Sequence, residues 1–188
     1  MTQTVLPRPV AWVLSENENN SYNLAPFSYF NAVNTDPPLI MFSIGLQDDG
    51  TLKDTLVNVM KRPEFVVHIA SVDQLSDLNL SSATLPPGES EVTAGNLETV
   101  KVEGHDLPRL VNSKVAFMCK VYKIDEIGNI GQRLVFGEIS EIYVDDECTE
   151  INEKGRIKIK PETIKPLSRL GASQYASFGE VLFAKRPA

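Results

Sequence analysis

The stretch GTLKDTLVN, residues 50–58, sets a lysine, an aspartate and two threonines where a helix should begin. First-turn amides have no intrahelical acceptors, and the helix dipole puts about half a positive charge at that end. A phosphate placed there would meet backbone N–H groups, the Thr51 or Thr55 hydroxyl and the Lys53 ammonium. The same residues also read as a capping box, Thr51-x-x-Asp54, and the spacing alone leaves both readings open. Asp54 would repel a phosphate if it faced the site, so its side chain should turn into a cap or a neighbour.

A second segment, NLAPFSYFNAVNTDPPL (residues 23–39), mixes small and polar residues with Phe27, Tyr29 and Phe30 before running into the apolar IMFSIG. Pro26 argues for an irregular segment, whose backbone groups are free to meet a ligand rather than a sheet ladder. Asn23, Ser28 and Ser43 offer polar side chains, and small Ala25 lets a flat ring approach closely. The plainer alternative is that the three aromatics are core, as most aromatics are.

Elsewhere the chemistry-bearing residues are scattered. His68 sits in an apolar run and reads as a hydrogen-bonded interior histidine; His105 reads as a loop residue. The two lack metal-site spacing, and Cys119 and Cys148 have neither disulfide nor zinc spacing. Cys119, between Phe117 and Val121, reads as a buried thiol without an activating neighbour. DDECTE is read as a solvated turn. Arg169 and Tyr175, in PLSRLGASQY, could pack on a ligand or anchor the tail. No residue is assigned a catalytic role and none a metal.

These residues must be positioned by strands. PVAWVLS, LIMFSIG, EFVVHIA, KVAFMCKVYKI, LVFGEISEIYV and RIKIK are rich in β-branched and aromatic residues and bounded by turn formers. ENENNSYN and EIGNIGQR read as turns. TLKDTLVNVMK spaces Leu52, Leu56, Val59 and Met60 on one helical face and stops before Pro63. VDQLSDLNLSS suggests a second helix, LPPGESEVTAG a loop followed by a short helix or turn near Asn96, and PLSRLGASQYASF a loop or short turn with Gly171 as a breaker. Many strands with few helices predict an antiparallel barrel. The 188 residues suit a single domain, 1–188. A formal charge of -7 argues against a generic nucleic-acid or anionic-membrane binder. No secretory signal or membrane-length apolar run is visible, so the expected location is cytoplasmic. No Gly-rich dinucleotide or P-loop motif is present.

Taken in order, PRPVAWV, NLAPFSYFNAV, DPPLIMFSIG, LKDTLVNV, EFVVHIA, VFGEI and PLSRLGASQY resemble the flavin reductase-like family of FMN-binding split β-barrels, across roughly Pro7 to Tyr175. The resemblance implies a mainly β fold, a six-stranded antiparallel Greek-key split barrel with a few peripheral helices, usually a homodimer. It implies FMN lying along Asn23, Ala25, Pro26 and Ser28, with Ser43 near the ribityl chain or phosphate. Lys53, Asp54 and Thr55 would form the phosphate end, with Lys53 and Thr55 the expected contacts; Arg169 and Tyr175 would form a flap. NADH or NADPH would be the electron donor, and a small molecule, a flavin or an oxygenase partner the recipient. Two departures stand out. Asp48 and Asp49 occupy a segment where relatives carry an arginine, and Tyr143 stands where relatives often carry a histidine. The implied activity is NAD(P)H-dependent flavin reduction; a flavin electron carrier without its own NAD(P)H turnover is the alternative. A pyridoxamine phosphate oxidase-like role fits the motifs less well.

Overall fold

The structure is a computed structural model and describes residues 1–187. Its strands are β1 (Arg8–Pro9), β2 (Ala11–Glu16), β3 (Tyr22–Phe27), β4 (Phe30–Thr35), β5 (Pro38–Ile44), β6 (Glu64–His68), β7 (Thr99–Val100), β8 (Arg109–Leu110), β9 (Val115–Ile127), β10 (Gln132–Val144), β11 (Thr149–Ile151), β12 (Ile157–Ile159), β13 (Ser168–Gly171) and β14 (Gln174–Ala176). Four short α-helices accompany them: α1 (Asp54–Lys61), α2 (Leu75–Leu80), α3 (Glu91–Ala94) and α4 (Pro161–Ile164). No helix among the described residues is long and apolar enough to cross a membrane.

The main sheet is antiparallel, in the order β3-β2-β6-β9-β10-β5-β4. It has seven strands, one more than the six expected, because the aromatic segment around Pro26 supplies two strands, β3 and β4, instead of an irregular stretch, while RIKIK lies outside this sheet. The edge strands β3 and β4 are joined by Ser28 and Tyr29 alone. A linker that short forces the two edges together, so the sheet curls and leaves a split there. RIKIK forms β12, but in a separate hairpin with β11. The tail segment expected as a loop is the hairpin β13–β14, turning at Gly171 (φ 146°) and Ala172 (φ 45°).

Alternation along the strands builds two cores. Ala11, Val13, Phe42, Phe65, Val67 and Val135 point inward, where Leu56 and Val59 of α1 join them. Trp12, Leu14, Leu24, Val66 and Met118 point outward and are roofed by Leu78 of α2 and Val92 of α3. Strand β2 is therefore covered on both faces, which explains why AWVLS reads as a continuous apolar run. His68 lies in this outer layer, fully buried. Its Nδ1 donates to the Trp12 carbonyl (3.1 Å) and its Nε2 accepts from the Leu110 N–H (3.0 Å), so the ring is neutral. Burial lowers its pKa to about 4.

Candidate functional site

A cleft of about 200 Å³ opens between β3 and the start of α1, with one wall from Ala25, Pro26 and Phe27 and the facing wall from Lys53, Asp54 and Thr55. The other sides are the turn at Leu46–Asp48 and the segment Ser81–Leu85, with Glu91 alongside. Sequence separation gives no hint that residues near 25, 54 and 82 meet; the rolled sheet brings them together.

Pro26 fits its place because β3 is an edge strand. Backbone groups alternate between partner and open side in an antiparallel pair. Along β3 the Tyr22 carbonyl accepts from Ser90 Oγ (2.6 Å) and the Leu24 N–H donates to Glu91 Oε2 (2.8 Å), both away from β2. Pro26, two residues on, shares that outward phase, so its missing N–H removes no ladder bond. The expectation of open backbone beside Pro26 thus holds in a strand, not in the irregular segment foreseen.

Helix α1 starts at Asp54 with Lys53 as its N-cap residue and no side-chain cap. The capping box is corrected accordingly: Thr51 donates through N (2.9 Å) and Oγ1 (2.7 Å) to Asp49, closing a local turn two residues earlier. These two bonds also hold the exposed Asp49 carboxyl below its usual pKa. The helix mouth is left without a side-chain acceptor. Lys53 is exposed and has no ion-pair partner among the described residues.

Asn23 and Thr55 both line the cleft, yet their side chains engage each other. Asn23 Nδ2 donates to Thr55 Oγ1 (2.8 Å) and to Ser15 Oγ (3.2 Å), while Asn58 Nδ2 donates to Ser15 Oγ (3.1 Å) and Asn17 Oδ1 (2.8 Å). With Asn23 at 3% and Thr55 at 1% exposure, this network forms the floor and pins α1 to β3. Thr55 accepts within the floor and also lines the cleft. Lys53, Asp54, Ala25 and Pro26 present the accessible surface.

Two carboxyl groups flank the cleft. Burial raises the pKa of Asp54, partly offset by the nearby Gly88 backbone. Burial also raises that of Glu91, against the Leu24 N–H bond, and the charge of Asp54 pushes the same way. Asp48 adds a third carboxylate to the lining, at the place where a positive charge had been expected.

A second cleft, about 250 Å³, meets the first at Pro26 and Ser82 and is lined by Ser28, Asn79, Arg169 and Tyr175. The two clefts together hold every residue expected to contact the flavin except Ser43. That hydroxyl accepts from Gln132 Nε2 (2.6 Å) and lies in neither lining. Tyr143 is also outside both clefts; its ring lies 3.5 Å beneath the Arg109 guanidinium in the outer layer. His105 pairs with Glu141 (3.2 Å), and Cys119 is buried with its thiol pushed far up in pKa. Sequence reasoning missed Ser81, Ser82 and Glu91. Only the Ser90-Glu91 helix start offered a signal, since small polar residues after a helix look like any loop.

An antiparallel sheet rolled until its two edges nearly meet, with a cleft between the split and the first helix, defines a split β-barrel. The model of the flavin reductase like domain matches residues 2–156, and the chain belongs to that family. Arg169 and Tyr175 lie beyond the matched residues. An uncharacterized protein of Halalkalibacterium halodurans is 36% identical over 97% of this chain and 87% of its own length. Nitrilotriacetate monooxygenase component B of Bacillus cereus superposes with a TM-score of 0.88 at 34% identity, over 97% of this chain and 90% of that one. The 2-nitrobenzoate 2-nitroreductase of Pseudomonas fluorescens gives 0.85 at 30% identity, over 99% and 88%.

Proposed function

We infer that this chain binds FMN in the first cleft and works as an NAD(P)H-dependent flavin reductase or related oxidoreductase. The observation that carries this reading is the uncapped mouth of α1, with Lys53 beside it, facing the Ala25–Pro26 wall across one cleft. A phosphate fits that mouth: the Asp54 and Thr55 N–H groups have no acceptor among the described residues, while Leu56 and Val57 already donate to the Lys53 carbonyl, and Lys53 is available as a counter-charge. A flavin ring fits the wall, because Ala25 and Pro26 present an apolar face and the outward carbonyl of β3 remains at its edge. Bound flavin would supply the redox chemistry by accepting hydride from the nicotinamide donor. The chain's own residues bind and orient. Asn23 and Thr55 fix the distance between wall and mouth, and Glu91 holds β3 through the Leu24 N–H.

At about 200 Å³ the cleft is smaller than the roughly 300–1,000 Å³ of ordinary small-molecule sites. A second copy of the chain completing the site is the simplest remedy, which favours a homodimer. The likeness to a monooxygenase component at 34% identity supports an oxygenase as the recipient of reduced flavin. The test is titration of the purified protein with FMN, then anaerobic mixing with NADH or NADPH. Quenching of flavin fluorescence on binding, followed by bleaching of the flavin bands, is expected. Binding without bleaching would mark an electron carrier, and no binding would end the reading.

A further inference from the structure

Strands β1, β13 and β14 form a small antiparallel sheet in which Arg8 lies opposite Arg169, and Arg169 opposite Tyr175. Directly opposed residues project from the same face, so two guanidiniums and a phenol ring share one row. Like charges placed opposite each other destabilise a sheet, and a buried charge without a counter-ion adds to the cost. Arg8 is nonetheless only 6% exposed, and neither arginine has an ion-pair partner among the described residues. Arg8 donates through Nη1 to the Thr2 and Val5 carbonyls and through Nε to Ser28 Oγ (3.4 Å). Arg169 lies 4.4 Å over the Tyr175 ring and donates through Nη2 to the Ala172 carbonyl. Every acceptor is neutral, so a chain of net charge -7 keeps an uncompensated positive row here.

The row borders the second cleft. Its lining supplies the Arg169 guanidinium, the Ser28, Ser82 and Ser173 hydroxyls and the Asn79 amide, with Val10, Pro26 and Tyr175 as apolar surface and no acidic residue. Guanidinium forks match planar carboxylates, and apolar walls beside them suit a ring. A volume of about 250 Å³ has room for a single ring.

The geometry points to this cleft as a binding site for a single-ring aromatic carboxylate, its carboxylate on Arg169 and Ser28 and its ring against Pro26. Because Pro26 and Ser82 belong to both clefts, the bound ring lies next to the proposed flavin. Its use as a reactant rests on the flavin reading; its binding does not.

Calorimetric titration of the purified protein with benzoate, benzyl alcohol and ADP, in low-chloride buffer, tests the site. Benzoate is expected to bind, the neutral alcohol at least about tenfold more weakly, and Arg169→Gln to reduce benzoate affinity by a similar factor. Ser173→Asp, an exposed change that leaves the core untouched, should weaken benzoate binding by placing a negative charge on the rim. Failure of benzoate to bind, equal binding of the alcohol, or indifference to both substitutions would overturn the proposal. ADP binding more tightly than benzoate and lost in Arg169→Gln would overturn it too, by assigning the cleft to nucleotides. FMN titration of the same preparation reports separately on the flavin reading, so the two can fail independently.

Discussion

Replacing Thr55 by valine separates a supporting role for this residue from a direct one. Valine keeps the shape and removes the acceptor 2.8 Å from Asn23 Nδ2. Asn23 is 3% exposed, and the valine methyl fills the place of the lost oxygen; one amide N–H keeps Ser15 Oγ at 3.2 Å and the other loses its partner. A stranded buried neutral donor costs about 1–3 kcal/mol. For a chain of this size each kcal/mol lowers Tm by roughly 2–4 °C, which gives a fall of roughly 2–12 °C. Asn23→Leu combined with Thr55→Val removes both partners, and the double variant should be less destabilised than the two single losses added together. The assay is thermal unfolding of the four proteins, with FMN affinity measured in parallel. An unchanged Tm for Thr55→Val together with a large loss of FMN affinity would refute the floor assignment and make the hydroxyl a ligand contact.

Lys53→Ala should weaken FMN binding about five- to tenfold, the lower end for a charge-assisted contact because Lys53 is exposed; fluorescence titration showing an unchanged Kd would remove the lysine from the site. Between pH 6.5 and about 4 the unfolded chain protonates His68 while the folded chain does not, so stability falls as pH drops through that window. The full effect is about 3 kcal/mol, from about 1.4 kcal/mol per pKa unit. Glu91 and Asp54, with raised pKa values, tilt the curve the other way, their contribution being lost as pH rises through the folded pKa. Urea unfolding of wild type and His68→Gln across the window isolates the histidine, and parallel curves would contradict its neutral burial. At Gly137 any Cβ would overlap the Phe65 ring beside the bulge in β10, so Gly137→Ala should lower stability by about 1–3 kcal/mol, read as a drop in urea midpoint.

Local patterning carried most of the fold. Alternating apolar residues marked the long strands, and the glycines of EIGNIGQR marked the β9–β10 turn, where Gly128 (φ 69°) and Gly131 (φ 73°) occupy left-handed backbone. Leu56 and Val59 marked the buried face of α1, but Leu52 and Met60, on the same periodic stripe, are 37% and 60% exposed. Periodicity gives a face, not its neighbours. The motif residues 23–28 and 53–55 stood out in the sequence because their types are unusual for plain strand and helix. What they do could not be read locally. Pro26 looked like a strand breaker until the sheet order made β3 an edge, and Thr51 looked like a cap until α1 began two residues later. The β5–β10 register gave Ser43 a partner, Gln132, that its type alone could not foretell. Ser82, Glu91 and the opposed Arg8 and Arg169 gained meaning only from closure of the sheet and pairing of the first strand with the last hairpin. Side-chain type and spacing follow from the chain alone; which groups share a cleft, and which are already satisfied by a neighbour, depends on contacts between residues tens of positions apart, fixed only when the sheet closes.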